Sequence, residues 1–339
     1  MRGLIVTKEK KVVLSNDIPM PQIGPYEALV KTECCMICNG TDLEIIRGEL
    51  PEAQLFPTVL GHESAGRIVA LGEKVRTYRL GDMVIRGSLP ENDLYHSAWG
   101  GFAEYCVVCD SAAMAADGLT QDPRGLTQQI VPDGIAAEEA ALMITLKETC
   151  SAVRRIGINP EDPVLVVGDG PVGLCMICNL KLIGVKTILV VGNRPSSLEI
   201  AKQVGATQTY LNRSKDDWEQ LITEYNKKIA VYVDTIGTQE TIVRGTGLVR
   251  QEGKVAVYGL RTGSHLNLPV AGLRNFSLQF AQWPIEQYEM QTHDFIANAI
   301  LNKQIPTEKL ISHVLPVVCF EEGFSAIVEK RALKVALRF

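Results

Sequence analysis

A chain of 339 residues is too long for one small hydrophobic core and suits two domains of ordinary size. It is 46% hydrophobic and 22% charged, the balance of a globular protein, and its 34 basic against 39 acidic side chains leave a net charge of −5 with no basic stripe to follow a phosphate backbone, which excludes nucleic acid as a partner. Nine cysteines, an odd number in so large a chain, argue for reduced thiols rather than a disulfide framework.

The N-terminal Met1-Arg-Gly-Leu-Ile-Val-Thr-Lys turns polar after three apolar residues, too early for a secretion signal. The most apolar stretch, 163–191, is broken by Asp169, Asn179, Lys181 and Lys186, so no membrane partner is expected and the location expected is cytoplasmic. Up to about residue 110, runs such as 3–7, 27–32 and 64–72 alternate apolar and polar side chains between Gly and Pro turns, which predicts a β-rich half. The stretch 110–129, with Gly118, Pro123 and Gly125, reads as a surface insertion. From about 135 the pattern changes to a helix over 136–155 and compact apolar strands at 164–167, 188–191, 230–234 and 254–258, separated by helical stretches. Alternation of this kind predicts a parallel sheet covered by helices. A further helix over 292–302 and a strand-like tail over 332–339 follow, the tail returning to the first domain. The expected domains are 1–145 with 288–339, and 146–287.

Within the second half, Gly168-Asp169-Gly170-Pro171-Val172-Gly173 follows a strand and opens a helix. The spacing is that of a dinucleotide loop: Gly168 for the turn, Gly170 for the approach of a pyrophosphate, Gly173 for close packing, with Pro171 and Val172 starting the helix. The second strand ends in Val191-Gly192-Asn193-Arg194-Pro195-Ser196. Gly192 has no carboxylate to accept the ribose hydroxyls of NAD, whereas Asn193, Arg194 and Ser196 are donors suited to a 2′-phosphate, so NADP(H) is expected over NAD(H).

In the first third, Cys38 and the run Gly61-His62-Glu63 offer a thiolate, an imidazole and a carboxylate, a set that suits zinc with one position left open. With Leu80-Gly81-Asp82-Met83-Val84, Gly100-Gly101-Phe102-Ala103-Glu104-Tyr105, the glycine loop and the closing strand, the chain resembles the zinc-containing medium-chain dehydrogenases, such as the polyol, glucose and threonine dehydrogenases, over nearly its whole length. The resemblance implies an α/β protein in which a GroES-like β-rich catalytic domain joins a doubly wound, parallel-sheet Rossmann domain. It also implies one catalytic zinc on Cys38 and His62, with Glu63 a further ligand or a close neighbour of the metal, Thr41 taking the alcohol proton and Asp42 orienting His62. The implied reaction moves hydride between NADP(H) and a small secondary alcohol, polyol or sugar-type substrate and its ketone, in a homodimer or homotetramer.

Three features depart from the family pattern. Asn39 is an extra residue between Cys38 and Thr41; Ile144 stands where many relatives carry a further acidic or cysteine side chain, with Glu148 one turn later on the same helical face, able to approach the metal or the nicotinamide; and residues 85–100 contain no cysteine for a structural zinc. Cys106 with Cys109, and Cys175 with Cys178, read as core packing. Trp99 and Trp283 are expected to face substrate, together with Thr41 and Glu148. A zinc-free reductase acting on an enone or quinone, or a non-catalytic dinucleotide sensor, are the alternatives, and the set Cys38, His62 and Glu63 argues against both.

Overall fold

The structure, a computed structural model, describes residues 1–259, 265–268 and 275–339. It divides into two compact units, one of Met1–Ile144, Glu289–Leu301 and Ile311–Phe339, the other of Thr145–Tyr288 and Asn302–Leu310.

The first unit is built on the strands β1 (Gly3–Val6), β2 (Val12–Ser15), β3 (Glu27–Ile37), β4 (Thr58–Val59), β5 (Glu63–Leu71), β6 (Met83–Ile85), β7 (His96–Ser97) and β8 (Tyr105–Cys109), with helix α1 (Thr41–Arg47) after β3. One sheet runs β2-β1-β4-β7, and β3 is the spine of a second, pairing antiparallel with both β5 and β8. The stretch read as a surface insertion does lie largely at the surface over 115–124, but its two ends are buried in the first unit. It forms α2 (Ser111–Ala116) and α3 (Pro123–Thr127), each started by a buried or half-buried aspartate: Asp110 accepts from the Ala113 amide and Asp122 from the Arg124 amide. Gln128 just beyond is buried, accepts from the Cys109 amide at 2.7 Å and donates to the Arg86 carbonyl at 3.0 Å. Asp110, Asp122 and Gln128 look like solvated loop residues in the sequence, yet each satisfies backbone groups of the folded unit.

Helix α4 (Ala137–Ile156) matches the helix predicted over 136–155, and the division between the units falls within it. The second unit then alternates β9 (Val164–Val167), α5 (Pro171–Leu182), β10 (Ile188–Gly192), α6 (Pro195–Val204), β11 (Gln208–Leu211), α7 (Lys215–Tyr225), β12 (Ile229–Asp234), α8 (Gln239–Leu248), β13 (Val249–Val257) and β14 (Phe276–Phe280). Its six strands among the described residues are all parallel, in the order β11-β10-β9-β12-β13-β14, the arrangement of a doubly wound dinucleotide-binding sheet. Strand β13 begins five residues before the apolar run at 254, because its first half, Val249-Arg-Gln-Glu, is mostly exposed and shows no buried pattern.

The chain finishes with α9 (Glu286–Glu289), α10 (His293–Leu301), α11 (Thr307–Leu310), β15 (Ile311–Pro316), α12 (Phe320–Val328) and β16 (Lys334–Arg338). Residues 289–301 are held in the first unit by a bidentate Arg86–Glu289 pair, at 2.9 and 3.1 Å, and by a 2.7 Å bond between His293 and the Ile130 carbonyl. Segment 302–310 lies in the second unit, where α11 packs on α5. Strand β16 lies antiparallel to β3, with Val335 opposite Ile37, so the tail completes the sheet of the first unit. Among the described residues no helix is long and apolar enough to cross a membrane.

Candidate active site

The ends of three strands meet at Cys38. Pairing of β3 with β5 sets Met36 opposite Glu63, and pairing of β3 with β16 sets Ile37 opposite Val335, so Cys38, His62, Glu63 and Lys334 arrive at one corner of the sheet. Ligand atoms of Cys38, His62 and Glu63 all lie within 4.8 Å of one another, and they are the one such group among the described residues. The backbone before His62 is pinned. Gly61 has φ +92°, and a Cβ there would sit 2.5 Å from the Phe102 ring; its carbonyl accepts from the Gly101 amide at 2.7 Å, and the Leu60 carbonyl from the Phe102 amide at 2.9 Å. The Trp99 ring stands 5.3 Å from the imidazole, centroid to centroid.

Helix α1 supplies Asp42, which is fully buried; its Oδ2 accepts from the Cys38 amide at 2.8 Å, and its Oδ1 lies 3.8 Å from His62 Nδ1. On the other side of the ring, His62 Nε2 lies 3.7 Å from Glu63 Oε1. Thr41 opens α1 beside Asp42. The extra residue Asn39 donates to the Leu333 carbonyl at 3.3 Å and so ties the loop after Cys38 to the start of β16. Burial works against a charged imidazole at His62, but Cys38, Asp42 and Glu63 outweigh it and lift its pKa from 6.5 to about 9. Burial also raises the Asp42 carboxyl above its ordinary value, against the pull of His62 and the Cys38 amide.

Sequence reasoning missed Lys334. It is buried, and its Nζ donates to Glu63 Oε2. A signal was present: Lys334 stands in a run whose neighbours Leu333, Val335, Ala336 and Leu337 are all apolar, and a lysine in a strand buried on both faces needs an anion beside it.

The glycine loop lies at the end of β9. A Cβ on Gly173 would come within 2.1 Å of the Gly168 carbonyl oxygen, so helix α5 and β9 pack this closely only with glycine there; a Cβ on Gly170 would meet nothing within 4 Å, which leaves the loop open to a ligand. Gly170 caps α5, and Pro171 and Val172 form its first turn. Beyond β10, Arg194 caps α6, Asn193 and Ser196 are exposed, and Asn193 Oδ1 accepts from Asn212, which in turn accepts from Arg244 at 3.0 Å. The loop also brings in a residue that the motif treats as arbitrary. Asp169 accepts from the Asn193 and Arg194 amides at 3.1 and 2.7 Å, and Arg194 donates to the Asp169 carbonyl at 2.7 Å.

Two expected residues lie in the second unit: Glu148, half-buried one turn beyond the fully buried Ile144, and Trp283, 53% exposed. All nine cysteines are free thiols. Burial pushes Cys106 up to about 11 and Cys178 up to about 12, as befits thiols that only fill the core.

Residues 24–117 match the alcohol dehydrogenase GroES-like domain, and residues 171–297 match the zinc-binding dehydrogenase domain. The sorbitol dehydrogenase of Bacillus subtilis is 30% identical over 277 residues, which cover 80% of this chain and 78% of that one. The chain belongs to the zinc-type medium-chain dehydrogenase superfamily. An alcohol dehydrogenase of Cupriavidus necator is 25% identical over 373 aligned positions, 100% of this chain and 98% of its own. The solved alcohol dehydrogenase TADH of Thermus sp. ATN1 shares the fold, with a TM-score of 0.82 at 23% identity, covering 100% of this chain and 99% of that one.

As a medium-chain dehydrogenase the protein is an oxidoreductase of the alcohol and polyol class, and its family implies zinc and a nicotinamide cofactor. The residues present fit the metal. One thiolate, one imidazole and one carboxylate converge, and the imidazole nitrogen turned from Glu63 faces a buried carboxylate, the usual partner of a metal-ligating histidine.

Proposed function

We propose that the protein is a zinc-dependent alcohol dehydrogenase that moves hydride between NADP(H) and a small secondary alcohol, polyol or sugar-type substrate and its ketone. The observation that carries this reading is the convergence of Cys38, His62 and Glu63 within 4.8 Å beside buried Asp42. When bound, zinc supplies a Lewis acid for the substrate oxygen, and the nicotinamide supplies the hydride acceptor or donor. Cys38, His62 and Glu63 Oε1 are the ligands. Asp42 fixes the Cys38 backbone and faces the imidazole, while Lys334 keeps Glu63 Oε2 engaged and so leaves one oxygen for the metal. Thr41 takes the alcohol proton and passes it outward, Glu148 acts beside the metal or the nicotinamide, and Trp99 is an apolar wall beside His62.

In the second unit the 168–173 loop receives the pyrophosphate at the start of α5, where the helix N-terminus favours negative charge. Gly192 without a carboxylate, and the donors Asn193, Arg194 and Ser196, support NADP(H) as the preferred form. The remaining features of the reading are one zinc per chain, a homodimer or homotetramer, and a cytoplasmic setting in which nine free thiols persist.

Metal analysis of protein purified with added zinc is expected to find about one zinc per chain. Cys38→Ser should lose the metal and, since the Lewis acid contributes several kcal/mol to the barrier, turnover should fall about a hundredfold or more with polyols and NADP⁺. Absence of zinc in the parent, or undiminished turnover in Cys38→Ser, would overturn the reading.

A further inference from the structure

We propose that Asp169, inside the glycine loop, is a determinant of cofactor choice: it places an anion in the seat of the substituent on the adenosine 2′-oxygen and thereby opposes Arg194. The inference rests on the reading of 168–173 as the dinucleotide loop. In a doubly wound sheet the residue ending the second strand reaches the ribose 2′ position, and here that residue is Gly192. The place is not vacant. A Cβ built on Gly192 would lie 2.6 Å from Asp169 Cβ and 2.8 Å from its Cγ, so the carboxyl group missing from β10 is supplied by the loop that follows β9.

That carboxylate is anchored on the groups a 2′-phosphate would seek. Asp169 Oδ2 accepts from the amides of Asn193 and Arg194 at 3.1 and 2.7 Å, and Arg194 Nε stands 3.5 Å away. Arg194 Nη2 is turned to the Asp169 carbonyl oxygen, 2.7 Å away. Asp169 is buried to 8% exposure and Arg194 is half-buried, so solvent weakens their mutual field less than it would at an open surface. Arg244 reaches Asn193 through Asn212, and its charge is shared with Glu240 at 2.6 Å.

A fixed carboxylate in this seat repels a phosphate dianion and accepts a hydrogen bond from a ribose hydroxyl, whereas Arg194 does the reverse. The two side chains therefore hold the selectivity between them. Asp169→Asn keeps an oxygen for the two amides and removes the charge, so it should shift the ratio of NADP⁺ to NAD⁺ affinity on the order of tenfold towards NADP⁺. Arg194→Ala should shift it towards NAD⁺.

Calorimetric titration of the parent protein and of Asp169→Asn, Asp169→Ala and Arg194→Ala tests this, with NADP⁺ and NAD⁺ as ligands and with adenosine 2′,5′-bisphosphate and 5′-AMP as probes of the adenosine half alone. The proposal predicts that both Asp169 variants favour the 2′-phosphorylated ligand of each pair relative to the parent. It is overturned if the ratio stays unchanged in Asp169→Asn, if it moves towards NAD⁺, or if both Asp169 variants weaken the two ligands alike, which is the mark of a loop brace. A parent that binds NAD⁺ at least as tightly as NADP⁺ refutes the NADP(H) preference proposed above, while the shift in Asp169→Asn still decides the role of Asp169. Failure of every ligand to bind the parent overturns both.

Discussion

Lys334 and Glu63 lie 271 residues apart in the chain and meet as an ion pair with side chains only 3% and 2% exposed. Removing one member of such a pair leaves the other as an uncompensated buried charge, at a cost of about 3–5 kcal/mol. A metal cation against Glu63 would supply the missing compensation. Lys334→Met is therefore expected to destabilise the chelator-treated protein by about 3 kcal/mol or more, and the zinc-loaded protein much less, as read from denaturant unfolding with and without zinc. Equal losses in both states would show that Glu63 does not meet the metal. This residue also marks the limit of what was legible. Cys38, His62 and Glu63 stood out because their chemistry is uncommon beside a glycine turn, whereas the pairing of Lys334 with Glu63 spans 271 residues and that of Asp169 with Asn193 and Arg194 crosses a helix and a strand, so no local pattern names either.

Among the elements, the parallel strands were the most legible, since burial on both faces writes them as unbroken apolar runs, and β9 coincides with its predicted 164–167. The segment 110–129 was the least so. There Asp110 gathers three amides, from Arg76 at 2.7 Å, Thr77 at 2.8 Å and Ala113 at 2.9 Å, so that one carboxylate both starts α2 and fixes the loop before β6. Burial alone would raise its pKa, yet these amides outweigh burial and hold it below the ordinary 3.8. Asp110→Ala should cost about 2–3 kcal/mol at neutral pH. Because the folded pKa is depressed, the carboxylate's contribution is complete above the unfolded value and is lost as pH falls through the folded one. The difference between parent and variant in urea midpoint should hence narrow only below about pH 4. A difference that instead vanished between pH 5 and 7 would assign the effect to another group.

For the molecule as a whole, the two-domain plan was readable from the change of periodicity near residue 135, and the metal cluster and glycine loop fall in different units. Hydrogen exchange should report them separately. Chelation is expected to speed exchange around 38–42, 61–64 and 334–336 and to leave β9, β10 and β12 unchanged, while NADP⁺ should protect 168–173 and 193–194. Uniform loosening on chelation would contradict this division. The first unit is also discontinuous in sequence, because β16 must lie against β3 and bring Lys334 to Glu63. A chain made from its N-terminus on the ribosome cannot close that corner until residues 145–288, the greater part of the other unit, have already emerged. During synthesis Glu63 therefore waits for its lysine, while the strands of the dinucleotide sheet have already emerged and are free to pair.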